Sequence, residues 1–207
     1  MKKEIQIVVP KDWSAVTLEK YLALQKDLKV YGDSPEGSVA CLFHHLCGFD
    51  PKYLNSLDTE VFMSMKRDLE SFIADTDIPL QKFIHIDGIE YGFEPNLSKM
   101  SYGAYLDVTK HENLSIDDNW AEVMSILYRP VKLRQRQLYE IEPYSGKVDK
   151  ERFLKVTMDV HFGALFFFIN LLKDLLNSTL KSMIATEEIP HNIKSILEKS
   201  GKLIHQL

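Results

Sequence analysis

Apolar residues recur every three to four positions along most of the chain, the pattern of helices that bury one face. This spacing predicts helices at about 15–29, 35–47, 58–73, 99–110, 118–128, 148–157 and 159–185, and a last one from Pro190 to the C-terminus. Local signals support the second and third of these helices: Ser34-Pro35 and Asp58 are typical of helix starts, and Gly48 is typical of a helix end. The chain is therefore predicted to be mostly helical.

Short β-prone runs add a smaller amount of strand. EIQIVV at residues 4–9 reads as a strand that ends at Pro10. FIHIDGIEYGF at 83–93 holds two such runs around Asp87-Gly88, a pair typical of a tight hairpin turn. YEIEPYSG at 139–146 reads as a short strand and a turn. The predicted fold class is α+β, predominantly α-helical, with short β-hairpins beside a helical bundle.

A short internal similarity suggests a duplicated unit. The pattern S-x-x-[ST]-x-x-x-Y-L begins at Ser14 and again at Ser98, each time after a strand and a proline and before a second apolar helix. A duplicated strand-helix-helix unit would explain this, with chance similarity as the alternative. We therefore divide the chain into an N-terminal strand with helices (1–80), a hairpin with helices (81–147), and C-terminal helices (148–207) that pack on both in one compact unit.

Composition narrows the functional classes. The chain has 207 residues, of which 45% are hydrophobic and 11% aromatic, enough for a sizeable core. Its net charge of −5 disfavours a protein that covers many nucleic-acid phosphates. The start, MKKEIQIVVPKDW, does not read as a signal peptide, because its apolar run stops at Pro10. We therefore expect a protein made in a reducing cytosol.

The most apolar stretch, VHFGALFFFINLLKDLL at 160–176, raises the question of a membrane. Asn170, Lys173 and Asp174 interrupt it, so the apolar run falls short of the roughly 18 to 20 residues of a membrane span. The apolar residues with helical spacing are Phe162, Leu165, Phe166, Ile169, Leu172 and Leu176. This period favours a core helix over membrane contact.

The segment CLFHHLC is the main candidate metal site. It holds Cys41, His44, His45 and Cys47, of which the first three fall on one face of a helix. Four ligands on one short helix cannot surround a tetrahedral ion. His85 in the predicted hairpin could supply a further ligand, but nothing in the sequence places it near this helix. We favour an ordinary helix whose cysteines act as small hydrophobic residues, with no bound cofactor. On a helix the cysteines would lie about 9 Å apart along the axis, too far for a disulfide.

The only dense basic run is RPVKLRQRQ, residues 129–137. Arg129, Lys132, Arg134 and Arg136 are candidates for contact with a partner, either nucleic acid or an acidic protein surface. The alternative is a solvated loop or edge strand whose charges are balanced by Glu140 and Glu142. Because no aromatic residues alternate with these charges, we favour the solvated loop or edge strand over contact with nucleic acid.

Signatures of catalysis are not found in the sequence. It has no GxxxxGK[ST], GxSxG or HExxH motif. The carboxylate pair Asp117-Asp118 precedes a predicted helix, where capping and the helix dipole explain it. We therefore expect a protein without enzymatic activity and assign no catalytic residues.

One resemblance goes further than these patterns. WAEVMSILYRPV at 120–131, YEIEPYSG at 139–146 and the following FFF helix resemble small structural and assembly proteins of tailed bacteriophages, including the crAss-like phages of gut Bacteroidetes. The FIHIDGIEYGF hairpin and the helix start after it are similar to tail assembly chaperones. The resemblance covers roughly residues 80–170 and assigns no functional residue.

The resemblance implies two kinds of function. In the first, the chain is a virion protein, a ring or connector subunit of the neck or tail, which forms a homo-oligomeric ring beside the portal or tail components. In the second, it is a non-virion tail assembly chaperone that binds another tail protein. A metal-binding regulator is a third hypothesis, carried by CLFHHLC alone. The first implies assembly in the bacterial cytoplasm and a final location in the virion.

Overall fold

The structure is a computed structural model that describes residues 8–74, 78–110, 115–136 and 138–185. Residues 183–185 are described by their backbone only. The α-helices are α1 (Leu18–Tyr31), α2 (Pro35–Cys47), α3 (Thr59–Ile73), α4 (Tyr102–Thr109), α5 (Trp120–Leu127), α6 (Lys150–Leu154) and α7 (Met158–Ala185). Short 3-10 helices lie at Trp13–Ala15, Pro51–Ser56 and Leu97–Lys99. The strands are β1 (Phe83–Ile86), β2 (Ile89–Phe93), β3 (Tyr128–Gln135) and β4 (Leu138–Ile141). The predicted fold class, a mostly helical α+β protein, is confirmed.

Local signals set the helix ends much as expected. The Ser34 hydroxyl accepts a hydrogen bond of 2.9 Å from the backbone N–H of Gly37 and so caps α2. Gly48 ends that helix with a φ of 66°, a left-handed conformation that favours glycine. Asp58 occupies the N-cap position of α3 but makes no capping hydrogen bond with its side chain. The predicted strand at 4–9 and the helix after Pro190 lie almost wholly outside the described residues.

The four strands form one antiparallel sheet in the order β1-β2-β3-β4. Asp87 and Gly88 join β1 to β2 with φ values of 52° and 78°, which confirms the tight hairpin turn. The predicted helix at 118–128 ends at Leu127, and the chain continues directly into β3. Tyr128, Arg129 and Pro130 pair with β2, whereas the rest of β3 pairs with β4.

The β3-β4 hairpin folds across the sheet at Gly92 of β2. The Tyr139 hydroxyl donates a hydrogen bond of 2.6 Å to the backbone carbonyl of Phe93. A Cβ atom at Gly92 would lie 2.9 Å from both Ile141 and the Tyr139 ring. Glycine at this position therefore allows β4 to lie close to β2, and this fixes the direction in which the hairpin projects.

The chain divides into two compact units. The first unit ends at Leu165 and the second begins at Phe166, so the boundary lies within α7. The core of the first unit is built around α5, in which seven residues from Trp120 to Leu127 are buried. Leu18, Phe43, Phe153 and Met158 add large side chains that are almost fully enclosed. Our division of the chain at 80 and 147 stays a prediction, as does the duplication, whose first strand lies mostly outside the described residues.

In the second unit, the outer turns of α7 differ from the sequence-based expectation. Leu172 and Leu176, which helical spacing assigned to the core face, are 46% and 63% exposed, and Leu175 is also exposed. Periodicity identifies an apolar face without saying what covers it, and that is why the expectation of burial was wrong for these leucines. In the first unit the opening turns of the helix are buried as predicted, at Met158, Val160, His161 and Ala164.

Gly163 is the position in α7 where a small residue is required. Its Cβ would lie 2.5 Å from the backbone carbonyl oxygen of Pro79, which is part of the segment that leads to β1. We expect Gly163→Ala to lower the free energy of unfolding by about 1–3 kcal/mol, because backbone cannot move away as a side chain can. Gly103→Ala in α4 is the matched control, since its Cβ would meet only Tyr144, at 4.0 Å. Chemical denaturation of both variants checks this, and equal effects would contradict it.

Candidate functional site

The CLFHHLC segment lies in α2, and its candidate ligands have other partners. Cys41 is buried, whereas Cys47 is half-buried, and neither forms a disulfide. His45 Nε2 lies 2.7 Å from Asp27 Oδ2 of α1, which ties the two helices together. His44 is exposed, and its Nδ1 lies 3.2 Å from the backbone carbonyl of Phe49. These contacts give each histidine a structural role.

The thiols of this segment are poor metal ligands at neutral pH. Burial raises the pKa of Cys41 and, more strongly, raises the pKa of Cys47 to about 11, so both thiols stay protonated. His85 lies in β1, where its side chain faces Glu90 at 4.0 Å. Among the described residues, no group of three or more His, Cys, Asp or Glu side chains could hold a metal ion.

The four basic residues of the 129–137 run are placed in different surroundings. Arg129 is only 11% exposed, and its guanidinium donates to Glu94 and to the backbone carbonyl of Ile126. Arg134 lies 3.7 Å above the ring of Phe83 and pairs with Glu90. Lys132 is exposed along β3, and Arg136 is exposed in the hairpin turn with a φ of 57°. Only Lys132, Arg134 and Arg136 therefore offer charge to a partner, and whether they bind one stays a prediction.

One exposed apolar surface lies on α4, and we call it the tyrosine face: Tyr102, Tyr105 and Leu106. Tyr102 is 75% exposed, and the other two are also exposed. The opposite side of the helix packs inward through Ala104, which is fully buried. Asp107 accepts a hydrogen bond of 2.6 Å from the Tyr144 hydroxyl and so anchors the helix beside the chain that follows β4.

The anchor behind the tyrosine face is held in an uncharged form. Burial, together with the Asp107 carboxylate, raises the pKa of Tyr144 to about 12. The neutral hydroxyl therefore donates to Asp107 throughout the physiological pH range. Exposed tyrosines on a fixed helix are typical of protein interfaces, because they offer large contact area at a small cost in side-chain entropy.

A second exposed apolar surface lies at the tip of the β3-β4 hairpin, which we call the hairpin tip: Leu133 and Leu138. These leucines are 51% and 79% exposed. Leu138 begins β4, while Tyr144 and the tyrosine face lie beyond its other end at Ile141. The two surfaces therefore flank opposite ends of β4.

Neither surface was predicted from the sequence. Tyr102, Tyr105 and Leu106 have the i, i+3, i+4 spacing of a buried helix face, but α4 packs on α5 with Ala104 buried and these three side chains exposed. Leu133 and Leu138 surround a hairpin whose first strand was not predicted. The one signal in the sequence is that a leucine stands on each side of the polar turn RQRQ.

Comparisons of the chain with protein families, with curated proteins and with solved structures find no match. Within the described ranges, no helix is both long and apolar enough to cross a membrane. The candidate functional surfaces therefore depend on the geometry of this chain alone.

Proposed function

We propose that the chain is a structural subunit without enzymatic activity, which forms a ring or connector in the neck or tail of a tailed-phage virion. Its partners are further copies of itself and neighbouring portal or tail proteins. It assembles in the cytoplasm of the bacterial host and ends in the virion. The resemblance at residues 80–170 supplies the phage context.

The observation that carries the proposal is the pair of separate apolar surfaces on one compact unit. A subunit of a closed ring contacts one neighbour through one surface and the other neighbour through a different surface, because rotation around the ring relates the copies. The tyrosine face and the hairpin tip are two such surfaces, flanking opposite ends of β4. A protein that binds a single partner needs only one of them.

The charges around the hairpin tip fit a protein neighbour. Lys132 and Arg136 are exposed beside Leu133 and Leu138, and Glu140 lies on the adjacent strand. Charges of both signs around an apolar centre are typical of the polar rim of a protein interface. Nucleic acid would be better served by a patch of one sign, and for that reason it is the less favoured partner.

A second candidate function is that of a tail assembly chaperone. Leu172, Leu175 and Leu176 form one exposed apolar row on the outer turns of α7. A chaperone needs one apolar surface that covers its partner and then releases it. The row would supply this surface, and the two surfaces near β4 would then have no function in assembly.

Mass spectrometry of purified particles and of infected-cell lysate distinguishes the two functions. For a ring subunit we expect the chain in particles at a fixed ratio to the portal protein, one or a small multiple, because each position of the ring is filled. Presence in lysate with absence from particles would overturn the ring proposal and favour the chaperone. A ratio that varies between preparations would also contradict a ring, since a closed ring has a set number of copies.

A further inference from the structure

The outer edge of β1 carries backbone groups that have no partner among the described residues. β1 is an end strand of the sheet that these residues form, and β2 is its one neighbour there. The two-residue turn pairs Ile86 with Ile89, and Phe93 donates to the Lys82 carbonyl, so alternate residues at 82, 84 and 86 bond to β2. The N–H and C=O groups of Phe83 and His85 consequently point away from β2, and no described residue pairs with them.

A groove of about 420 Å³ lies beside this edge, and we call it the edge groove. β1 forms one wall, and residues 155–160, where α6 leads into α7, form the other. Val156 and Val160 make part of it apolar. Asp159 also lines it, and its buried Oδ1 has no hydrogen-bond partner among the described residues, while its Oδ2 accepts from Gln81 at 2.5 Å.

An extended chain fits such a groove better than a compact ligand does. A strand beside β1 would satisfy the outward backbone groups of Phe83 and His85, and its side chains would alternate between the groove and solvent. Unpaired edges of this kind are normally covered or blocked with charge. The exposed His85 and the adjacent Asp87 do not block this edge, because His85 faces Glu90 and Asp87 faces Arg152.

We propose that residues 4–9 of a second copy of this chain bind in the edge groove as an additional strand. The inference rests on the proposed function, because it needs copies that lie side by side. EIQIVV alternates, with Ile5, Ile7 and Val9 on one side and mostly polar residues on the other. The apolar side would extend the inner face that Ile84 and Ile86 begin on β1.

The length of the segment suits the site. Residues 4–9 span about 20 Å when extended, more than the roughly 13 Å that the four residues of β1 require. Pro10, which lacks a backbone donor, would mark the end of the pairing.

The chain after Pro10 lies against the second wall of the groove. The Val16 carbonyl accepts from the Met158 N–H, and the Leu18 N–H donates to the Val156 carbonyl. Lys11 and Asp12 alone separate Pro10 from Trp13, which packs on Phe162 of α7. With so short a connection, donation needs a second copy in direct contact, which the proposed ring supplies.

Strand donation of this kind joins copies head to tail. Each copy gives residues 4–9 to one neighbour and receives them from the other, so the contact is heterologous and closes into a ring when the rotation permits. Backbone hydrogen bonds would supply affinity, and the alternating apolar side chains would fix the register.

Two full-length variants test this by removing one half of the contact each. Gln6→Pro with Ile7→Pro removes donors on both sides of the donated strand, because neighbouring residues point their N–H groups in opposite directions. His85→Pro removes one outward donor of β1 and leaves the bonds of Ile84 and Ile86 to β2 intact. The matched controls are Gln6→Ala with Ile7→Val, and His85→Ala, which keep every backbone donor. Circular dichroism verifies that each variant is folded.

Light scattering after size-exclusion chromatography measures the result. We expect the wild type and both controls to be oligomers and each proline variant alone to be a monomer, because every copy then lacks the same half of the contact. In an equimolar mixture, the His85→Pro chain still donates a strand and the Gln6→Pro, Ile7→Pro chain still accepts one, so we expect a one-to-one heterodimer. If the proline variants remain oligomers like the wild type, strand donation is overturned and the proposed ring stands. A wild type that is monomeric at all concentrations overturns both.

Chemical cross-linking gives a second measurement that needs no proline. In a chain with Ile7→Cys and His85→Cys, a short bis-maleimide linker should join different chains into ladders of multimers. The unchanged chain, with Cys41 and Cys47 only, supplies the background. Cross-links confined to single chains would overturn donation to a second copy.

Discussion

Replacing Arg129 with methionine is expected to lower the free energy of unfolding by about 3–5 kcal/mol, the usual cost of breaking a buried ion pair. The side chains of Arg129 and Glu94 are only 11% and 9% exposed. Methionine fills much of the same volume, but it leaves the Glu94 carboxylate buried without its cation. Urea denaturation of the wild type and of Arg129→Met measures the difference.

Two further variants separate the ion pair from general effects of the substitution. Arg134→Met removes an equally long cation whose pair with Glu90 is more exposed, so we expect a loss of no more than about 1 kcal/mol. Arg129→Met combined with Glu94→Leu removes both buried charges and should recover most of the lost stability. Equal losses for Arg129→Met and Arg134→Met would show that the buried ion pair contributes no more to stability than the exposed one.

This result bears on how the basic run is tested for partner binding. A change at Arg129 affects folding and partner contact together, so a loss of assembly in that variant has two explanations. Lys132 and Arg136 are exposed and make no ion pair with a described residue, so they are better positions for such a test. The sequence gives no sign of this distinction, because the partner Glu94 lies 35 positions away.

The parts of the fold that were predicted well depend on neighbouring residues. The Ser34 cap, the left-handed Gly48 and the Asp87-Gly88 turn each act within a few positions, so their effect is visible in the sequence. Strand β3 is different, because its first residues are fixed by pairing with β2, and Pro130 in that stretch argues for an ending and not for a strand. Pairing between distant segments is the information that periodicity lacks.

The candidate site illustrates the same limit. Helical spacing put Cys41, His44 and His45 on one face of α2, but it did not indicate that Cys41 is buried or that His45 pairs with Asp27 of α1. Spacing likewise identified the apolar positions of α4 and α7 without distinguishing a core face from an exposed one. Which apolar face stays exposed is decided by the packing of the whole unit, and so the tyrosine face emerged only from the structure.

We expect the free energy of unfolding to fall by about 3 kcal/mol between pH 6.5 and pH 4, because of the buried side chain of His161. The side chain is fully buried near the start of α7, and burial lowers its pKa from 6.5 to about 4. Hydrogen bonding to the backbone carbonyls of Phe153 and Val156 and the nearby Asp159 carboxylate oppose this shift without cancelling it. Between these two pH values the unfolded chain binds a proton that the folded chain does not, so stability falls with pH. Each unit of pKa shift corresponds to about 1.4 kcal/mol.

Denaturation midpoints at half-unit pH steps measure this loss, and His161→Leu is the control. The Phe153 carbonyl keeps its bond from the Val156 N–H in that variant, so no buried acceptor is orphaned. Asp12 and Asp50, whose pKa values are lowered from 3.8 by hydrogen bonds with Ser14 and Lys52, titrate below the window. The variant should therefore lose much less stability than the wild type between pH 6.5 and 4. A slope as steep as that of the wild type would mean that other groups bind the proton, and His161 would then be charged or exposed in the folded chain.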